Sequence, residues 1–326
     1  TNVSGLPSDL SNFSFRDCQL PGADFSRHTL VKTKFTEANL AGARFTEANA
    51  TDADFSRAVL DNADFSDATL QGVWFIGNTL TGVIFQRADC TNANFTEAEF
   101  VNTRVDGCDL RRAVFAQARI DTSILSTSDL RACDLSFLDF SGVDFSGRDL
   151  EDARFDDCTL EGTRFRDCRL QAASFQRANL RGADFSGAYM KFADLADADV
   201  SAAVFTGATM HNASLENIKP DRADFREARL WHCTLDGTDL RKAILGCTDF
   251  SRSSCAGTDL TGIDFSDCNL TQFSLAGSQL EGARFRRTIL RNAELTQAKL
   301  ARALFERSLA KGCDFTESDF HEAAFI

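Results

Sequence analysis

The chain has 326 residues, 43% of them hydrophobic, with 48 acidic against 35 basic side chains and a formal net charge of −13. That balance argues against general nucleic-acid binding and for solubility or a basic partner. No apolar run approaches a membrane span, Thr1 to Leu10 carry no signal-peptide pattern, and only 3 Pro and 20 Gly occur, which excludes a collagen-like or low-complexity chain.

Residues 1–9 read as an N-terminal lead-in, and Thr1 is not a start residue, so processing from something longer is expected. From Leu10 to Phe325 one five-residue pattern repeats without slipping. Every multiple of five is a centre, normally Phe or Leu, and it takes 26 of the 30 Phe. Two residues earlier lies a small slot of Ala, Ser, Thr or Cys. Two residues later lies a turn slot, which takes 18 of the 20 Gly. Neither a helix of period 3.6 nor a strand of period 2 explains a period of five. A short extended piece and a corner do, and Gly suits the corner because φ > 0 costs it nothing. Four corners make a square coil of 20 residues, and about 16 coils stacked at roughly 4.8 Å would span roughly 75 Å. Phe columns then fall on two opposite faces, with Leu columns between them. Eight of the eleven Cys occupy small slots, and Cys90 and Cys255 occupy centres. They read as small apolar fillers, which suits a reducing cytosol rather than a disulfide framework.

Along the chain, Trp74, Ile76 and Ile84 form a first outward apolar group. Leu138 beside Phe137 suggests a swollen coil over 135–140, and Arg148 stands in a small slot, where it should turn outward or find a carboxylate. His28, Asn78 and Phe273 are further oversized or polar occupants of that slot. Ala178 to Gly187 then states the pattern twice in its cleanest form. Tyr189, Lys191, Phe192, His211, Trp231 and His232 follow as the one outward aromatic and basic cluster, a candidate protein-contact patch. Two imidazoles without a third ligand are poor grounds for a metal site. Pro220 sits at a centre and lacks an N–H, so a bulge or bend is expected over 217–222, with the register resuming at Ala223. Phe315, Phe320 and Phe325 close the chain and are expected to need covering, by another domain, a partner or a second copy end to end.

Ala38-Asn39-Leu40, Ala63-Asp64-Phe65, Ala178-Asn179-Leu180 and Ala183-Asp184-Phe185 resemble the A(D/N)Lxx signature of the pentapeptide-repeat family, and the resemblance covers essentially the whole chain. It implies an all-β, right-handed quadrilateral β-helix over 10–326, the handedness coming from the resemblance alone. It also implies a class of acidic proteins, some of which resemble duplex DNA and occupy the DNA saddle of gyrase.

Residues 20 apart share a column, so charge can be assigned by face. The face centred on Phe15, Phe35 and Phe55 carries 14 acids and 5 bases, its neighbour centred on Leu20 and Leu40 is net −4, and the face centred on Leu30, Leu70 and Leu110 is net +2. Carboxylates here are periodic rather than convergent, and no phosphate loop, nucleophile motif or metal-spaced Cys/His set occurs. The expected function is therefore a non-enzymatic, rigid protein-interaction scaffold without cofactor or metal, with gyrase or topoisomerase as the partner a DNA mimic would take. The alternative is a structural or delivery module of a larger, secretion-linked bacterial protein. A cytoplasmic location is expected for the first and secretion for the second, and a homodimer through a coil end is the expected self-association.

Overall fold

A computed structural model describes residues 3, 5–120 and 128–326 of the chain. The expected centre Leu125, the turn positions Thr122 and Thr127, and the lead-in residues Thr1, Asn2 and Ser4 lie outside the described residues. The chain divides into two compact units, Thr1–Leu138 and Asp139–Ile326.

Within each unit the backbone is a succession of parallel bridges between residues 20 apart, such as Asn39↔Val59 in the first and Asp184↔Val204 in the second. The bridges lengthen into short parallel strands at only a few places. Strand β1 (Thr79–Thr81) pairs with β2 (Glu99–Val101), and β3 (Leu304–Phe305) pairs with β4 (Ala324–Phe325). A five-residue period with a 20-residue return gives four sides per coil.

The amides of one five-residue side show why it repeats. In the side centred on Leu40, Asn39 N–H donates to Cys18 O of the preceding coil. Leu40 N–H donates to Val59 O and Gly42 N–H to Asp61 O of the next coil, while Ala43 N–H closes the corner on Leu40 O at 2.9 Å. That leaves the amide just after the centre. Ala41 N–H is taken by the Asn39 side chain, whose Oδ1 lies 3.2 Å away. The same contact recurs as Ser26 N–H to Asp24 Oδ1 at 3.0 Å and Ser186 N–H to Asp184 Oδ1 at 2.9 Å. The Asp or Asn before the centre is thus the partner of the fifth amide, which buried chain requires.

The turn slot adopts the left-handed conformation at every described position from Asn12 to Glu322 except Lys242. The expectation of φ > 0 there holds, but Gly is not needed. Arg177, Asp197 and even Phe192 take φ of 57°, 61° and 61°. The inter-coil bond from the turn-slot amide, such as Arg177 N–H to Ala196 O at 3.0 Å, holds the side chain in a conformation that only Gly adopts freely.

Centres and small slots fill the core. Phe35, Phe55, Phe165 and Leu180 have no exposed surface. Rings in one column stack, Phe35 on Phe55 at 4.8 Å and Phe165 on Phe185 at 4.9 Å, and rings of opposite columns meet edge to face, Phe165 with Phe175 at 5.6 Å. Offset and T-shaped pairs of this kind are each worth about 0.5–1.5 kcal/mol beyond burial. Small-slot hydroxyls and thiols do more than fill space. Thr163 Oγ1 donates to Phe140 O at 2.8 Å and Cys233 Sγ to Met210 O at 2.7 Å, each a centre carbonyl 23 residues back, whereas Thr258 Oγ1 donates to the nearer centre carbonyl Cys255 O. All eleven cysteines are free thiols. Asn78 uses the same route, its amide nitrogen donating to Phe55 O and Ala58 O.

The irregular slots are absorbed differently. Phe273 is fully buried, its ring 5.4 Å from Phe250. Arg148 is half-buried, and Phe137 is 60% exposed. Pro220 is buried in its centre and keeps a regular corner, with Ala223 N–H on Pro220 O at 2.9 Å and Arg222 at φ 58°. The irregularity expected over 217–222 appears in the coil stacked on it. Asp239 bridges neither Lys219 nor Asp259, Lys242 loses the left-handed corner, and Arg222 N–H bonds Lys242 O one residue out of register. Proline tolerates its own turn, which uses only its carbonyl; the missing donor is felt by the Asp239 carbonyl opposite.

Candidate functional site

The outward cluster lies on the face of the second unit whose centres are Met190, Met210 and Leu230, all fully buried. The residue after each centre points outward, so Lys191, His211 and Trp231 form one column, and Phe192, Asn212 and His232 form the next at the left-handed corner. His211 and Trp231 stack with ring centroids 4.5 Å apart and planes 2° off parallel. Lys191 Nζ sits 4.9 Å over the Phe192 ring, a cation–π contact. Tyr189 continues the parallel ladder between Arg169 and Thr209. Tyr189, Phe192 and Trp231 remain 39%, 51% and 41% exposed. The six residues therefore share one face, with two direct pairings among them, His211 on Trp231 and Lys191 on Phe192.

His211 is the electrostatic oddity. Burial, then the positive charges of Lys191 and Arg229, hold its pKa below the ordinary histidine value, against a small opposing pull from Asp249. Its Nε2 is buried without a hydrogen-bond partner. The ring serves as a flat support beneath the indole.

Sequence reasoning missed what lies on the other side of Trp231. The next two places in its column are Ser251 and Thr271, too short to cover the indole, and a cleft of about 370 Å³ opens there. Asp249 and Asn269 flank it on one side, and His232, Arg252 and Gln272 on the other. The signal was present as Trp-Ser-Thr at 20-residue spacing. A second opening of about 350 Å³ lies beside Pro220 and Asp239, where the ladder parts.

Of the other expected sites, Phe315 and Phe320 are half-buried and pair edge to face at 5.2 Å. Phe325 stacks on Phe305 at 4.7 Å and is 62% exposed. In the first unit Trp74 is 51% exposed. Among the described residues no group of three or more His, Cys, Asp or Glu is placed to hold a metal, and no helix is long and apolar enough to cross a membrane.

Charge is distributed unevenly around the second unit. On its Phe155 and Phe175 face the last basic residue is Arg177. Beyond it stand Asp194, Asp197, Glu216, Asp236, Glu294, Asp314 and Glu317, none of them in an ion pair among the described residues. Other acids of the unit do form ion pairs, as in Arg177 on Asp157 at 2.7 Å and Arg287 on Asp267 at 2.6 Å.

Four five-residue sides, a small slot and an Asp or Asn amide partner define a repeat solenoid whose chemistry lies on its outer columns. The chain belongs to the pentapeptide-repeat family. The pentapeptide repeat region matches residues 8–85 and 128–205, and pentapeptide repeats (8 copies) match residues 79–112, 108–147, 221–254, 253–292 and 293–326. The fold is accordingly the right-handed quadrilateral β-helix. No curated protein matches the chain. Among solved structures, a trypsin-treated form of QnrB1, a plasmid-mediated fluoroquinolone resistance protein, is similar at 18% identity over 59% of this chain and 91% of that one, with a TM-score of 0.29. A pentapeptide repeat protein of the Arabidopsis thaliana thylakoid lumen is 32% identical over 35% of this chain and 70% of that one, with a TM-score of 0.19. HetL of the cyanobacterium Nostoc, involved in heterocyst differentiation regulation, is 20% identical over 95% and 94%, with a TM-score of 0.14.

Proposed function

We propose that this chain is a non-enzymatic scaffold that presents an acidic face to a basic protein groove, acting as a DNA mimic on gyrase or a related topoisomerase in the cytoplasm. The observation that carries the reading is the set of carboxylates from Asp194 to Glu317 on one face that stand outside any ion pair among the described residues. Those seven side chains span about six coil rises, or about 30 Å. They average about one per 4–5 Å, with a gap of three coil rises, about 14 Å, between Asp236 and Glu294, against one phosphate per about 3.4 Å along a DNA strand. A groove that binds one strand's phosphates would meet two groups of negative charge, Asp194 to Asp236 and Glu294 to Glu317, held on a backbone that needs no reordering on binding. The reduced thiols agree with a cytoplasmic protein.

The test is a gyrase supercoiling assay with increasing protein. Inhibition or protection of gyrase is expected at micromolar protein, weakening as salt rises. Combining Asp197→Lys, Glu216→Lys and Glu317→Lys, all at exposed positions, should lower the effect at least about tenfold, since each reversal places like charge against a basic groove. No effect on gyrase at micromolar protein, together with no capture of gyrase, sinks the topoisomerase reading.

A further inference from the structure

We propose that the cleft beside Trp231 binds a hexopyranose, presented as a sugar residue of a glycan. This goes beyond the acidic-face reading and uses a different face of the second unit.

The platform comes first. One face of the Trp231 indole is covered by the His211 ring at 4.5 Å and 2°. The other face looks along the column toward Ser251, one coil rise of about 4.8 Å away. Where a large side chain would continue the stack, the sequence supplies a hydroxymethyl group and then Thr271, leaving a notch of about 370 Å³. A flat, partly apolar ring placed there continues the column of stacked rings. The stack beneath it is fixed by the backbone, since both His211 and Trp231 sit on a hydrogen-bonded ladder in which Asn212 N–H meets Trp231 O at 2.8 Å.

The polar groups around the notch select among flat ligands. Asp249 spends Oδ1 on the Ser251 amide at 3.0 Å and on its hydroxyl, and Oδ2 has no donor among the described residues. Asn269 spends Oδ1 on Thr271, through the backbone at 3.1 Å and the hydroxyl at 2.7 Å, and its amide N–H groups have no acceptor among the described residues. Gln272 accepts from Arg252 Nε at 2.8 Å through Oε1, which leaves the Gln272 amide donors and the Arg252 Nη groups pointing away from that bond. The rim therefore offers a carboxylate acceptor on one side, amide donors on both sides and a guanidinium on one, all preset by bonds within the repeat. Vicinal hydroxyls need this mixture, because each one donates and accepts. An aliphatic or phenyl side chain in the notch would shield the same groups from water without pairing them. A purely anionic ligand would meet Asp249, and a purely cationic one Arg252.

The test uses a Trp74→Phe chain, in which Trp231 is the sole indole of the two in the sequence. Methyl glycosides of glucose, galactose and mannose are titrated separately, with indole emission and saturation-transfer NMR as readouts. A saturable change in Trp231 emission with at least one glycoside is expected, with saturation reaching the sugar ring protons. Trp231→Ala should abolish the transfer signal, and Gln272→Ala, which removes one exposed donor and leaves the ladder intact, should weaken binding several-fold with an unchanged circular dichroism spectrum. No saturable response to any of the three glycosides at tens of millimolar overturns the proposal. So does transfer that survives Trp231→Ala, and so does saturable binding of adenosine in place of the sugars, which would make the notch a nucleobase site.

Discussion

Restoring one amide at Pro220 should re-zip the coil above it. The perturbation is Pro220→Leu. Leucine is native to this column, at Leu180 and Leu240, with Val200 and Leu240 as the immediate neighbours of Pro220, so the side chain suits the buried centre. The substitution returns an N–H that can donate to Asp239 O, as Val200 N–H donates to Lys219 O at 3.1 Å one coil earlier. Three further bonds that the regular coil makes are missing here: Asp239 N–H to Ile218 O, Leu240 N–H to Asp259 O, and Asp259 N–H to Thr238 O. Each net hydrogen bond is worth about 0.5–1.5 kcal/mol, so full closure of four gives about 2–6 kcal/mol. Loss of proline's restriction of the unfolded chain takes back about 0.4–1 kcal/mol. A net gain of about 1–5 kcal/mol follows, and a unit of this size moves its midpoint by about 2–4 °C per kcal/mol. Native-state hydrogen exchange reads the local event directly. The amides of Asp239, Leu240 and Asp259 should exchange freely in the parent and become protected in the variant. If they stay unprotected while Ile218→Ala protects them, the opening comes from the bulk of Ile218 in its small slot, and the missing-donor argument is refuted.

Two other outcomes follow from the coil chemistry. Asp24, Asp139 and Asp259 have pKa values held below the ordinary aspartate value, first by the side chain two residues on and then by its backbone amide. A lowered folded-state pKa means the stability is present above the unfolded value near 4 and is lost as pH falls through the folded one. Thermal midpoints should be flat from about pH 7 to 5 and fall below about pH 4, and Asp139→Asn, which keeps the amide acceptor and cannot titrate, should shrink that fall; an unchanged acid profile across several such variants refutes the role of the caps. Thiol labelling of the native chain should be fast at exposed Cys247 and slow at Cys133, Cys233, Cys255 and Cys268, whose pKa burial pushes up to about 12. Prompt labelling of those four without unfolding would contradict the packed wall.

The parts of the fold that were legible are those enforced at every repeat. The centre, the small slot and the corner each impose one steric demand, and dozens of repetitions make each demand visible. The Asp or Asn before the centre was equally visible but mute, because its purpose appears only when the five amides of one side are assigned partners and one is left over. Cys133 and Cys268 were read as fillers for a related reason. Size placed them in the slot, while their bonds to Leu110 O and Leu245 O depend on a carbonyl 23 residues away. Pro220 was located correctly and its consequence was placed one coil early, since a ladder defect belongs to the strand that loses its donor. At the site, the aromatic column was legible from the 20-residue register, and the notch was not, because it is made by the smallness of Ser251 and Thr271 rather than by any residue that draws the eye.

A wall this regular confines function to its outer columns, and it also couples neighbouring ones. Phe192 holds the corner that ends the aromatic face, and Asp194 opens the acidic one two residues later. A protein laid along Asp194 to Glu317 would therefore reach the edge of Phe192, whereas a sugar seated on Trp231 is held by Asp249, Asn269, Arg252 and Gln272, which belong to the aromatic face rather than the acidic one. The two surfaces are thus separable by substitution even though they share a unit. Because every side chain on either face is carried by the same inter-coil ladder, a variant at one surface should leave the geometry of the other unchanged, which is the condition under which a single scaffold can hold two partners at once.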